Sequence, residues 1–289
     1  MVWHNSQSQS DAIPDRYSTD AGVSRSFDHG SRGEPTNKAA IRERLDALAG
    51  SEPLLRVDDL VAGYGGRMIL HGVDLRVGAR QSLCLIGPTS AGKSTVLHSI
   101  FGLTDVRAGR VEVAGRNVTR LGPAAKLRDA GIAYVLQDSS VFPDMTVERN
   151  LWLSGRLIGQ HDDSQDAVER VFDRYPVLAR HRDKPAGTLS CGERRLLELS
   201  RAIVMRPRLL LVDEPSMGLD IAFVEQVYAM LRDLRDREGM SIVMVEQNAR
   251  SALAFADIGC VVVAGEVARV GRGSDLLADP AVERLFLGD

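Results

Sequence analysis

The chain has 289 residues, 44% of them apolar and 26% charged, and a net charge of −3. That is enough apolar chain for a sizeable core, and the slightly acidic balance gives no electrostatic reason for a nucleic-acid partner or an anionic membrane surface. The cysteines, Cys84, Cys191 and Cys260, are odd in number and widely spaced, which excludes a disulfide framework and a metal knuckle and suits a reducing compartment.

Residues 1–50 are rich in Ser, Asp, Gly, Arg and Asn, too poor in apolar groups to offset their ordering entropy, and are expected to be a disordered extension. Within them Ile41, Leu45 and Leu48 fall on one helical face, so residues 37–48 read either as a docking helix or as a transient one. No hydrophobic core of a secretion signal precedes them. No apolar run in the chain approaches the ~20 residues of a membrane span.

From Pro53 the pattern becomes regular. LLRVDDL and MILHGVDLRV read as strands with Tyr64-Gly65-Gly66 in the turn between them. SLCLIG is a short continuous apolar run, as in a strand buried on both faces. A Gly-rich turn and a helix follow, then strands at RVEVAG and GIAYVL. From Thr146 to about His181 the spacing of Val168, Val171, Phe172 and Tyr175 is helical. A helix from Ser190 to about Met205, a buried strand LLLVDEP, a helix from Ile221, a strand SIVMVEQ, a hairpin at GCVVVAGEVARV and a helix over Ser274–Phe286 complete the chain. Strands alternating with helices predict an α/β fold with a mostly parallel sheet covered on both faces.

Three local patterns carry chemistry. Gly87-Pro88-Thr89-Ser90-Ala91-Gly92-Lys93-Ser94-Thr95 fits G-x-x-x-x-G-K-[ST] between a strand and a helix, the context in which backbone N–H groups cradle phosphates. A helix starting there adds its positive dipole end. Lys93 is then expected to reach the β- and γ-phosphates and Ser94 to hold magnesium. Ser90 stands where many such loops carry a glycine. In Leu209–Pro215 an apolar strand ends in two carboxylates. Beyond the carboxyl end of a parallel strand, Asp213 would meet the metal and Glu214 would orient or deprotonate a water. Strand-end acids that merely cap a loop are the plainer alternative. Ser190 and Glu193 of Leu189-Ser190-Cys191-Gly192-Glu193 stand in capping-box relation at a helix start, which is compatible with an anion site there.

These elements, in this order, resemble the ATP-binding subunits of ABC transporters, whose signature LSGGQ or LSGGE stands here as LSCGE. The resemblance spans about Pro53 to Asp289. It implies a P-loop NTPase with a mostly parallel core sheet, an N-terminal antiparallel β subdomain and an inserted helical subdomain at roughly 142–200, all within an ATPase domain over 51–289. It further implies that Tyr64 stacks on adenine, that Gln137 touches magnesium and water, and that Ser216–Asp220 is the loop after the catalytic glutamate, with Asp220 at the dimer contact. The sequence is most similar to the smaller ATPases of branched-chain amino-acid, amide and urea importers, through Tyr64-Gly65-Gly66, Phe142–Val147 with Asn150-Leu151, Val245-Glu246-Gln247-Asn248 and Leu287-Gly288. Gln247 occupies the place of a histidine in most relatives. It can donate to a γ-phosphate but cannot carry a proton.

The implied cofactors are ATP and Mg2+. The implied partners are a second ATPase subunit, identical or sister, transmembrane permease subunits and, indirectly, an extracytoplasmic solute-binding protein, with no nucleic acid. The implied place is the cytoplasmic face of the cell membrane. Each ATP would lie between one phosphate loop and the other subunit's signature helix. Cys191, whose Cβ replaces a signature glycine, together with Ser90 and Gln247, keeps open a slow or non-hydrolysing nucleotide sensor. A soluble ABC protein of translation or repair is disfavoured by the lack of a tandem domain or coiled-coil insertion, and a GTPase by the lack of N-K-x-D.

Overall fold

The computed structural model describes residues 38–137, 140–157 and 163–282. The expected tail before residue 38 and the terminal Leu287-Gly288 lie outside them. The first described element departs from the expected disorder through Gly50 and takes the docking alternative left open for residues 37–48. Helix α1 (Lys38–Ala49) buries Leu45 completely and Ala49 almost so, with Ile41 and Leu48 packed beside them. Its polar side is tied down as well. Arg76, itself buried, donates to Asp46 at 2.9 Å, and Arg42 pairs with Asp74 at 3.0 Å. Lys38, Arg42 and Arg44 add ion pairs to Asp59 and Asp275, and the apolar stripe with these pairs holds a short helix that its composition alone would leave unfolded.

Strands β1 (Leu55–Tyr64) and β2 (Arg67–Val77) form a hairpin through Gly65-Gly66, and β4 (Asp105–Val113) and β5 (Arg116–Asn117) join them in an antiparallel sheet of order β2-β1-β4-β5. Between β2 and β4 the chain runs through β3 (Ser82–Ile86) and α2 (Lys93–Phe101). After β5 come α3 (Pro123–Ala130) and β6 (Ile132–Val135). Next is a helical stretch: α4 (Val147–Leu157), whose start is capped by Thr146 Oγ1 accepting from Arg149 N at 3.1 Å, α5 (Asp163–Arg174), the single turn α6 (Pro176–Ala179) and α7 (Cys191–Met205). The chain then alternates through β7 (Leu209–Asp213), α8 (Ile221–Asp236), β8 (Ser241–Val245), α9 (Ala249–Phe255) and the hairpin β9 (Ile258–Val263) and β10 (Glu266–Arg272). Of the helix expected over 274–286, the described residues hold two short pieces, α10 (Gly273–Leu277) and α11 (Pro280–Val282), and the rest lies outside them. Pro280 has no N–H to continue the first piece.

The six-stranded core sheet has the order β10-β9-β3-β8-β7-β6, with every pair parallel except β9–β10. Side chains alternate between its two faces. Cys84, Ile86, Leu210, Val212, Ile242 and Met244 enter one hydrophobic cluster, and Leu83, Leu85, Leu209, Leu211, Val243 and Val245 enter the other. Both faces are buried, which is why these strands read as unbroken apolar runs. Among the described residues no helix is long and apolar enough to cross a membrane.

Candidate functional site

In an open parallel sheet the ligand crevice lies beyond the carboxyl ends of the strands. Here five adjacent strands deliver side chains or backbone to that edge: β9 leads to Ala264-Gly265, β3 to the phosphate loop, β8 to Gln247, β7 to Glu214 and β6 to Gln137. They line a cleft of about 690 Å³ together with Thr89, Ser90, Gly92, Lys93, Ser94, Thr95 and, from β2, Arg67, Met68, Ile69 and His71.

The phosphate loop takes its shape from close approach to β9. A Cβ on Gly87 would lie 2.1 Å from the carbonyl oxygen of Val262, so that position admits only glycine. Gly265 N donates to Ala91 O at 2.9 Å and pins the far side of the loop. Ser90 has φ +64°, the left-handed region that favours glycine. The serine thus carries the strain its position in the motif foretold. Gly92 caps α2 at φ +97°, and the Lys93 ammonium arcs back to donate to Gly87 O at 2.9 Å and Pro88 O at 3.0 Å. Burial lowers the Lys93 pKa, opposed by the nearby Glu214 and Asp213 carboxylates.

Asp213 and Glu214 do different jobs. Asp213 is buried and accepts from Ser94 Oγ at 3.1 Å and from the Tyr134 hydroxyl at 3.0 Å. Burial pushes its pKa up against the pull of those two hydrogen bonds. Ser94 and Asp213 present only oxygen donors at a helix N-terminus, and among the described residues no cluster of three His, Cys, Asp or Glu side chains exists that could hold a metal. Such a sparse, all-oxygen set fits magnesium, which keeps its waters and shares itself with phosphates. Glu214 adopts φ +44° and faces the cleft. Its carboxylate accepts from Gln247 Nε2 at 2.9 and 3.1 Å and from Gln137 Nε2 at 3.2 Å. A non-glycine residue in this region is strained, and such strain concentrates at working sites. The buried Glu246 organises the far wall by accepting from the backbone N–H groups of Ser216, Gln247 and Asn248.

Not every residue singled out in the sequence enters this cleft. The segment Leu189–Glu193 is not part of its lining. Ser190 caps α7 through the reciprocal box with Glu193, and Cys191 is exposed. Gly192 is required by packing, since a Cβ there would lie 2.2 Å from the ring of Phe223. Asp220 caps α8 by accepting from Phe223 N at 3.0 Å. Tyr64 is half exposed and outside the lining, with its hydroxyl on His98 Nδ1 and its ring edge-on to that imidazole. Sequence reasoning missed Tyr134, His98 and the backbone of Ala264-Gly265. A tyrosine in the otherwise aliphatic IAYV was the only available signal for the first, and the others had none.

A family model described as ABC transporter matches residues 70–217. The probable branched-chain amino acid transport ATP-binding protein LivF of Archaeoglobus fulgidus is 36% identical over 235 residues, 81% of this chain and 99% of its own length. The high-affinity branched-chain amino acid transport ATP-binding protein BraG of Pseudomonas aeruginosa is 35% identical, over 81% of this chain and all of its own. The lipopolysaccharide export system ATP-binding protein LptB of Haemophilus influenzae is 29% identical over 82% of the chain. Among solved structures, an ATP-binding cassette of an ABC transporter in its ADP conformation superposes with a TM-score of 0.71 at 26% identity, covering 83% of this chain and 100% of that one. With relatives matched along almost their whole length and a family model laid over the phosphate loop and both carboxylates, the chain belongs to the ABC transporter family as an ATP-binding subunit.

Proposed function

We propose that this subunit hydrolyses ATP and couples the hydrolysis to solute import of the branched-chain amino-acid, amide or urea type. The observation that carries the hydrolytic reading is Glu214, held between the amides of Gln137 and Gln247 above Lys93 and Ser94. Gln137 and Gln247 donate to the carboxylate and hold it in the cleft, where a water must stand to attack a phosphate gripped by the loop. The water oxygen bonds to the γ-phosphorus, its proton passes to Glu214, and the bond to the β–γ bridging oxygen breaks to leave ADP and phosphate. Base assistance of this kind contributes about 10²–10⁴ in rate. Ser94, Asp213 and Gln137 would hold a magnesium ion, which neutralises charge on the phosphate oxygens when bound.

The Ser190 helix tip lies outside the cleft of its own chain and is the complementary half of the site in a second, identical or sister subunit. ATP then offers its γ-phosphate to both halves, whereas ADP offers none to the second, so only ATP favours closure. Shifting a dimer from mostly open to mostly closed needs ~5.5 kcal/mol of differential binding. Charge-assisted hydrogen bonds of about 1.5–3 kcal/mol each, a few per site, supply it. Phe142, Met145 and Trp152, which follow Gln137 in the chain, are exposed large apolar side chains. They are the surface for the permease subunits on the cytoplasmic side of the membrane, with the solute-binding protein met only through those subunits. The branched-chain amino-acid reading is supported by the branched-chain amino acid transport relatives at 35–36% identity, against 29% for the lipopolysaccharide export protein.

The test is Glu214→Gln. The amide preserves shape but offers NH2 to two glutamine donors and cannot accept a proton. Turnover is expected to fall about 10²–10⁴-fold, with ATP retained and the ATP-bound dimer longer lived in size-exclusion chromatography. Parental phosphate release by the purified variant would refute the assignment.

A further inference from the structure

Gln137 lies two residues past the end of β6 and needs something to hold it in place. The structure supplies this from an unexpected direction. Three charged residues of α7, Arg195, Glu198 and Arg201, stand three apart, so consecutive members are neighbours along one side of the helix. Arg195 Nη1 donates to Leu136 O at 3.0 Å and Nη2 to Gln137 O at 2.9 Å, while Nη1 also pairs with Glu198 Oε2 at 2.9 Å. Glu198 Oε1 accepts from Ser140 N at 2.8 Å, and Arg201 Nη1 donates to Ser140 O at 2.7 Å. Arg195 and Glu198 are 7% and 3% exposed.

A buried ion pair within one helix would by itself gain little over an apolar contact. This pair spends its remaining hydrogen-bonding capacity on backbone to either side of the Gln137 segment. The forked guanidinium fixes two successive carbonyls, which sets the direction in which the Gln137 side chain leaves the backbone. The N-terminus of the same helix carries Ser190 to Glu193.

We propose that Arg195 and Glu198 are positioning residues that set Gln137 against Glu214, so that the placement of the glutamine follows that of helix α7. The proposal rests on the assignment of Gln137 and Glu214 to hydrolysis given above. Neither Arg195 nor Glu198 lines the cleft. Their effect therefore passes through Gln137 and is confined to the turnover of bound ATP.

The experiment is a double-mutant cycle on the full chain, reading steady-state phosphate release and, separately, ATP affinity by calorimetry. Arg195→Lys keeps a cation beside Glu198 but cannot fork onto both carbonyls, and Glu198→Gln keeps volume and one acceptor, so both are conservative enough to fold. Each is expected to lower kcat about tenfold, within the ~10²-fold that an ångström of misplacement can cost, with ATP affinity changed by less than about twofold. Combined with Gln137→Ala, neither is expected to slow the enzyme further, because residues acting through one group are not additive. Effects that multiply, an unchanged kcat in both variants, or affinity falling in step with kcat would each overturn the proposal. Glu214→Gln is the control. If it turns over at the parental rate, the hydrolytic assignment itself fails, and the proposal with it. If it is inactive while the cycle shows independent effects, the positioning role alone fails.

Discussion

The clearest physical test of this fold is the single substitution Leu45→Ala in helix α1. Leu45 is fully buried, and the helix offers only Ala49 and the half-buried Ile41 and Leu48 beside it. Truncating a fully buried leucine costs about 2–5 kcal/mol, the spread reflecting how far the surroundings collapse. The helix sets its own ceiling, however. Once the loss exceeds the free energy of docking, α1 detaches and the cassette keeps the rest of its stability. Detachment would also strip Asp46 from the buried guanidinium of Arg76, which still reaches Asp58 at 2.5 Å and Val57 O at 2.6 Å. The expected loss is therefore at the lower end, about 2–3 kcal/mol. Urea unfolding followed by circular dichroism should show a lower midpoint, and native-state hydrogen exchange should show the amides of residues 42–49 exchanging fastest. Glu43→Gln on the exposed face is the control and should stay within about 0.5 kcal/mol. A Leu45→Ala variant within that same margin, with protected α1 amides, would refute the claim that the helix is held by its apolar stripe.

Two further outcomes follow from strained or buried groups. Ser90→Gly removes the cost of a side chain at φ +64°, about 1–2 kcal/mol, but loosens the unfolded chain by about 0.4–1 kcal/mol. The nucleotide-free protein should gain up to about 1.6 kcal/mol in chemical denaturation, and a loss would contradict the strain argument. Lys126 is fully buried, with its ammonium on Ile100 O at 2.8 Å at the end of α2, and burial lowers its pKa from 10.5 to about 8. Between those values the unfolded chain binds the proton that the folded chain has lost. Stability therefore rises with pH through this window, and the burial penalty is in full force below about 8. Lys126→Met should abolish a rise that reaches at most about 2 kcal/mol between pH 7.5 and 9.5, read from urea midpoints at the two pH values.

What could be read from the sequence was whatever is encoded over short distances. The phosphate loop lies within nine residues. The capping box lies within four, and Ser190 and Glu193 make it as expected. The unbroken apolar runs around Cys84, Leu211 and Val243 revealed a sheet buried on both faces, because alternation is lost only when both sides are covered. The order of these patterns was enough for the family. Composition left residues 37–48 open between a docking and a transient helix, since partners of α1 such as Arg76 and Asp74 lie about thirty residues on.

The tertiary structure alone decided which groups meet. Gln137 and Gln247 close on Glu214 from 77 and 33 residues away, Tyr134 reaches Asp213 across 79, and Arg195 holds Gln137 across 58. It also turned Tyr64 toward His98 and left the Ser190 helix tip outside its own cleft. Periodicity and local sterics fix the elements, because each residue constrains only its near neighbours on the chain. The site is made where the ends of five strands converge, and that convergence depends on how the whole sheet packs.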